Sequence, residues 1–187
     1  MDMVIFNHRI PMLSKADIEK YFIAEKQESL VFLVIGIAAI LLALIFYFAV
    51  KTQVFRGAAM PLLVLGLVQA VAGYSVYVRS DDQRISQVYA YDMNPDQLKT
   101  VELTRMRKVK TNFLIYRWIE TGMFIAGIAL VIFFRNQDPR TVWLGFGITL
   151  TLMAAEFFTA DFIAEKRAVK YVALLEDFNK VSHPMHP

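Results

Sequence analysis

The chain has no cysteine and only three histidines in 187 residues. Without cysteine there is no disulfide, no thiolate nucleophile and no thiolate metal site. His8, His183 and His186 all lie near the ends of the chain. A carboxylate metal cluster built on Glu-x-x-His steps in helices therefore has no histidine to use. His183 and His186, three apart in a Pro-rich tail, read as surface residues. There is no Walker loop, dinucleotide fingerprint, His-Glu-x-x-His or Gly-x-Ser-x-Gly stretch. No catalytic residue or cofactor is indicated, and a metal is neither named nor excluded. Net charge is +3 and the isoelectric point is near 9.1. The basic residues form no face beyond what membrane anchoring explains, so no nucleic-acid partner is expected.

What is present is apolar. Hydrophobic residues make up 57% of the chain, with a mean hydropathy of +0.44. They concentrate in four runs, at about 31–50, 60–78, 113–134 and 142–163. About 20 apolar residues in a helix cross the roughly 30 Å of a bilayer's hydrocarbon. Only helices or closed barrels satisfy the backbone in lipid, and these runs lack the alternation of barrel strands. The expected fold class is all-α: a polytopic membrane protein with four transmembrane helices as two hairpins. The whole of 1–187 reads as a single transmembrane domain. The first run starts behind a mixed-charge segment without a small-residue cleavage pattern, so it reads as a span, not a removable signal peptide.

Charge sets the expected orientation. Arg9, Lys15, Lys20 and Lys26 precede the first run. Arg79, Arg84, Lys99, Arg105, Arg107, Lys108 and Lys110 lie between the second and third, and Lys166, Arg167, Lys170 and Lys180 follow the fourth. The opposite links hold only Lys51, Arg56, Arg135 and Arg140. The positive-inside rule places both termini in the cytoplasm, as for a cell inner membrane protein. Arg105, Arg107, Lys108 and Lys110 read as topology determinants or as a grip on anionic headgroups.

Beyond the runs, helix continues. Ser14 with Asp17 has the spacing of a capping box. Extensions are expected over about 14–30, 95–112 and 164–179, giving three helices that project into the cytoplasm. Apolar positions at Leu98, Val101, Leu103, Met106 and Val109, and at Ala168, Val169, Val172, Leu175 and Phe178, would pack as a stalk. Ser80–Asn94 reads as the one long cytoplasmic connection, with Asn94 a cap and Pro95 opening the next helix. Thr52–Gly57 and Asn136–Arg140 read as tight outer turns, and Pro61 as lying in the first turns of its helix. Gly66, Ala70 and Gly73 offer one smooth face for helix contact, and Gly145 and Gly147 are packing positions.

The few polar groups in or near the apolar runs are the functional lead. Charged groups in hydrocarbon face the bundle and find partners. Glu120 and Glu156 lie inside the third and fourth runs. Glu28 and Asp161 lie towards the same side of the membrane, with Arg117 one turn before Glu120, and Gln69 and Tyr74 within reach of that layer. Carboxylates gathered there would share protons or hold a hard cation. This favours an oligomeric transporter or channel-like protein with an inward-facing site for a cation, a proton or a small polar substrate. Its partners would be the bilayer and further copies of itself. The rival is a scaffold that binds a cytoplasmic protein through the helical extensions; a lipid-modifying enzyme ranks below both. A purely structural reading pairs Arg117 with Glu120 or Asp161.

Overall fold

The computed structural model describes residues 12–136 and 141–181. His8, His183 and His186, the leading segment to Pro11 and the Asp138-Pro139 turn lie outside them. The described residues form four long helices: α1 (Lys15–Val50), α2 (Gln53–Met93), α3 (Pro95–Phe134) and α4 (Thr141–Val181). Each is long and apolar enough to cross a membrane.

Local chemistry places the helix ends. At the start of α1 the Ser14 hydroxyl accepts the Asp17 amide at 3.2 Å, and the Asp17 carboxylate accepts the Ser14 amide at 3.1 Å. The reciprocal pair satisfies two otherwise orphan donors. α1 ends in a π-helical turn, Phe46–Val50, and the chain reverses through Lys51 in the left-handed region at φ 59°. Thr52 then caps α2 by accepting the Phe55 amide at 3.4 Å. The turn between α1 and α2 is thus only two residues long, and Gly57 belongs to the helix. Pro61 accordingly lies deeper inside α2 than the opening turns in which it was expected.

The larger departure concerns 80–94, expected as a connection but helical through Met93. No glycine or proline interrupts Ser75–Met93. Ser80 folds its hydroxyl back on the Val76 carbonyl at 2.7 Å, and Asp81 pairs with Arg84 one turn on at 3.6 Å. A polar surface that breaks an apolar pattern need not break a helix. Asn94 alone joins α2 to α3. Its side chain makes no capping bond; its backbone carbonyl accepts the Gln97 amide at 3.0 Å, and Pro95 occupies the first helical position. All four helices, not three, therefore outrun their apolar stretches.

Pairings across the bundle fix the order. α1 and α2 run antiparallel, tied by Lys15–Asp92 at 2.6 Å and by Lys26–Asp81. α3 and α4 run antiparallel, tied by Arg107–Glu176 at 2.9 Å and by Arg117–Glu165. α2 and α4 lie side by side and parallel, with Gly57 against Val142 at one level and Gln69 against Glu156 further along.

The two ends of this bundle pack by opposite rules. At the charged end, large side chains fill the interior: Ile18, Phe22, Leu98, Met106 and Leu175 are all but fully buried. The stripes of α3 and α4 supply Leu98, Leu103, Met106, Ala168, Val172 and Leu175 to this core, while Val101 and Val169 stay exposed. Along the apolar runs the interior is small, with Ala39, Ala43, Ala59, Leu62 and Met153, and the bulky residues point outward, as do Val64, Val71, Trp118 and Ile125. Such an inverted section suits a hydrocarbon solvent, where helices associate through close contact of small residues. Gly66 packs on Gly36 and Ala39, Gly73 on Ser29 and Leu33, and Gly127 on Gly147 and Thr151.

The tightest approaches join α2 to α4. A Cβ at Gly145 would overlap the Val54 carbonyl, and one at Gly57 the Val142 carbonyl. At Gly122, on α3, nothing lies within 4 Å. Gly145→Ala is therefore expected to lower stability by about 1–3 kcal/mol through forced backbone separation. Gly122→Ala should be neutral or stabilising, by up to about 1 kcal/mol. Thermal unfolding of both variants in detergent checks the contrast, and equal melting temperatures would refute the close α2–α4 contact.

Candidate functional site

Gln69 and Glu156 face one another across the α2–α4 contact. Gln69 is completely buried, and its amide Nε2 donates to Glu156 Oε1 at 2.9 Å. Each residue keeps one buried oxygen without a hydrogen-bond donor: Gln69 Oε1 and Glu156 Oε2. Unpaired acceptors in a low-dielectric interior are costly.

On the neighbouring face of α4, Asp161 meets Glu120 of α3. Glu120 is only 5% exposed, and both residues line one small cavity. That cavity measures about 10 Å³ and is lined by Arg117, Glu120, Asp161, Glu165, Phe113, Phe158 and Phe162. That is room for about one water.

Arg117 pairs with Glu165, and not with Glu120 or Asp161 as the structural reading of the sequence had it. The antiparallel register explains this. Arg117 lies one turn before Glu120 on α3, and Glu165 one turn after Asp161 on α4, so the residues meet as successive rungs. Glu28 lies apart from these rungs and pairs with Arg167 of α4. Tyr74 is 60% exposed on the outside of α2 and does not join the group. Among the described residues, no three acidic or imidazole side chains are grouped to hold a metal ion.

A second polar cluster, at the charged end, was not legible in the sequence. Glu102 is 1% exposed and receives Arg105 Nε and Nη2 at 2.8 Å each. Burial works against the Arg105 charge, but the Glu102 carboxylate outweighs it and holds the guanidinium above its ordinary range. Arg105 is therefore not the free headgroup ligand it resembled. The Ser80 hydroxyl, shared with the Val76 carbonyl, lies 3.1 Å from Glu25 Oε2, and Tyr21 reaches the same carboxylate at 3.4 Å. Tyr21 stacks on Tyr171, with centroids 4.3 Å apart and planes at 15°. Burial pushes both phenols well above their usual range. The i, i+3 spacing of Glu102 and Arg105 was the one available signal, and it is just as common on solvated faces.

No protein-family model, curated protein or solved structure matches this chain.

Two outcomes follow. Glu102→Ala leaves the part-buried Arg105 unpaired, at a cost of about 1–3 kcal/mol, whereas Glu102→Ala with Arg105→Met should recover most of it. Chemical denaturation checks both, and a double variant as unstable as the single one would contradict the pairing. For the exposed Lys26–Asp81 pair, the hydrogen bond to Lys26 lowers the Asp81 carboxyl below its ordinary 3.8, and the same bond raises Lys26 above 10.5. The Asp81 contribution is present above pH 3.8 and fades as pH falls through the lowered value. The Lys26 contribution is present below pH 10.5 and fades as pH rises through the raised value. Asp81→Asn should flatten stability against pH on the acid limb, as read by melting temperature across a pH series.

Proposed function

We propose that this is a small membrane transporter or channel-like protein, acting as a homo-oligomer, that binds protons at an inward-facing carboxylate site. The observation that carries the reading is the meeting of Glu120 and Asp161 beside a water-sized cavity, with Glu156 and Gln69 next to them holding unpaired acceptors. In this reading the apolar runs cross the bilayer as two hairpins and both termini lie in the cytoplasm, which puts the carboxylates in the cytoplasmic half of the membrane. Glu120, Asp161 and Glu156 take and release the proton, Gln69 orients Glu156, and the Arg117–Glu165 rung borders the site on its cytoplasmic side. Intramembrane carboxyls that share protons are the parts from which relays are built. A carboxyl pair suits a proton better than a bare metal ion, since no third acidic ligand closes around it. A single bundle with its bulky residues turned outward has no lined path of its own, hence the oligomer.

The scaffold reading finds less support. Most of the apolar stripes that would have gripped a cytoplasmic partner are taken up in the bundle's own core, leaving Val101 and Val169 exposed.

The test is proton flux into proteoliposomes under an imposed pH gradient, followed with an entrapped pH dye. Glu120→Gln and Glu156→Gln should fold and insert, yet reduce flux at least tenfold, taking about 1.4 kcal/mol per decade as the scale. Wild-type flux in both variants would rule the reading out.

A further inference from the structure

Away from the carboxylates, α1 and α4 part at the charged end to leave a cleft of about 100 Å³. Two matching stripes form its walls. α1 contributes Asp17, Lys20, Tyr21 and Ala24, and α4 contributes Arg167, Lys170, Tyr171 and Leu174. Both follow the i, i+3, i+4, i+7 spacing of one helix face. The stacked rings of Tyr21 and Tyr171 lie between the walls, and the Arg167 guanidinium sits over the Tyr21 ring at 5.4 Å.

The charges in this cleft are unbalanced. Asp17 is the only acid in the lining, and its carboxylate is taken up by the Ser14 capping box. Lys20 and Lys170 have no acidic partner among the described residues. Arg167 pairs with Glu28, while its Nε is buried with no acceptor. Two unpaired lysines and an arginine whose Nε lacks an acceptor therefore line space large enough for several waters. Arg and Lys donors grouped this way match the oxygens of a phosphate.

The depth of the cleft bears on where that phosphate would come from. Arg167 follows the fourth apolar run by four residues, or about 6 Å of helix. Headgroup layers extend roughly 5–7 Å beyond the hydrocarbon on each side, so Arg167 stands at headgroup height, with Lys170 and Lys20 towards water.

We propose that this cleft is a phosphate-binding site, in which Lys20, Arg167 and Lys170 hold the phosphate group of an anionic lipid headgroup or of a soluble phosphate. The proposal does not depend on proton transport. It is tested on the full chain by native mass spectrometry, after reconstitution in nanodiscs of phosphatidylcholine doped with phosphatidylglycerol, and separately in detergent with inorganic phosphate. Lys20→Gln with Lys170→Gln removes two unpaired, exposed side chains and should leave folding intact. Retention of the bound species should fall about tenfold or more, since each basic residue near the surface contributes on the order of 1 kcal/mol. Lys108→Gln with Lys110→Gln, outside the cleft, should leave retention unchanged. Phosphatidylglycerol retained by the wild type but lost from the cleft variant identifies the lipid source. Inorganic phosphate bound in detergent and lost from the same variant identifies the soluble one. Equal binding by wild type and cleft variant, equal losses in both variants, or no binding of either probe would overturn the proposal.

Discussion

Close backbone contact at small residues is the constraint on which the remaining structure depends. α2 touches α4 where Gly57 and Gly145 leave no room for a Cβ, and α3 touches α4 where Gly127 meets Gly147. Helices held this near bring short polar side chains within reach of one another. Gln69 and Glu156 can bond only because α2 and α4 are side by side and parallel, and Glu120 meets Asp161 only in the antiparallel register of α3 and α4. In hydrocarbon there is no hydrophobic drive between helices, so contact area among small groups and polar bonds has to supply the association.

The bundle carries two kinds of interior on continuous helices. Where the chain is apolar, alanine and glycine face inward beside Leu62 and Met153 and many bulky residues face outward; where it is charged, aromatic and long aliphatic side chains fill the middle. The charged end is fastened as a soluble protein would be, with buried Glu102 paired to Arg105 and stacked tyrosines. Ion-pair rungs along α3 and α4 carry the register from there to Glu120 and Asp161. Two different chemistries result on neighbouring faces of α4. One face brings the carboxyls of Glu120 and Asp161 to one small cavity, and the other lines an open cleft with Arg167 and Lys170.

Much of this was legible in the residues. Apolar run length, the Ser14–Asp17 spacing and the glycines of the second and fourth runs are local signals with local causes, and they gave the four long helices, the start of α1 and the packing faces. Glu120 and Glu156 stood out because carboxylates in apolar runs are rare and costly. Misreadings arose where a local pattern has two physical solutions. Residues 80–94 are polar enough for a loop, yet they contain nothing that breaks a helix. Tyr74 lies within reach of the polar layer by depth alone, but the rotation of α2 turns it outward.

The sequence by itself determined which segments are helical and apolar and which side chains are out of place among them, because those properties depend on neighbours a few residues away. Only the tertiary structure decided the partners: Arg117 with Glu165, Glu28 with Arg167, Glu156 with Gln69. Each of these depends on the rotation and register of helices far apart in the chain, set by where glycines allow two backbones to touch.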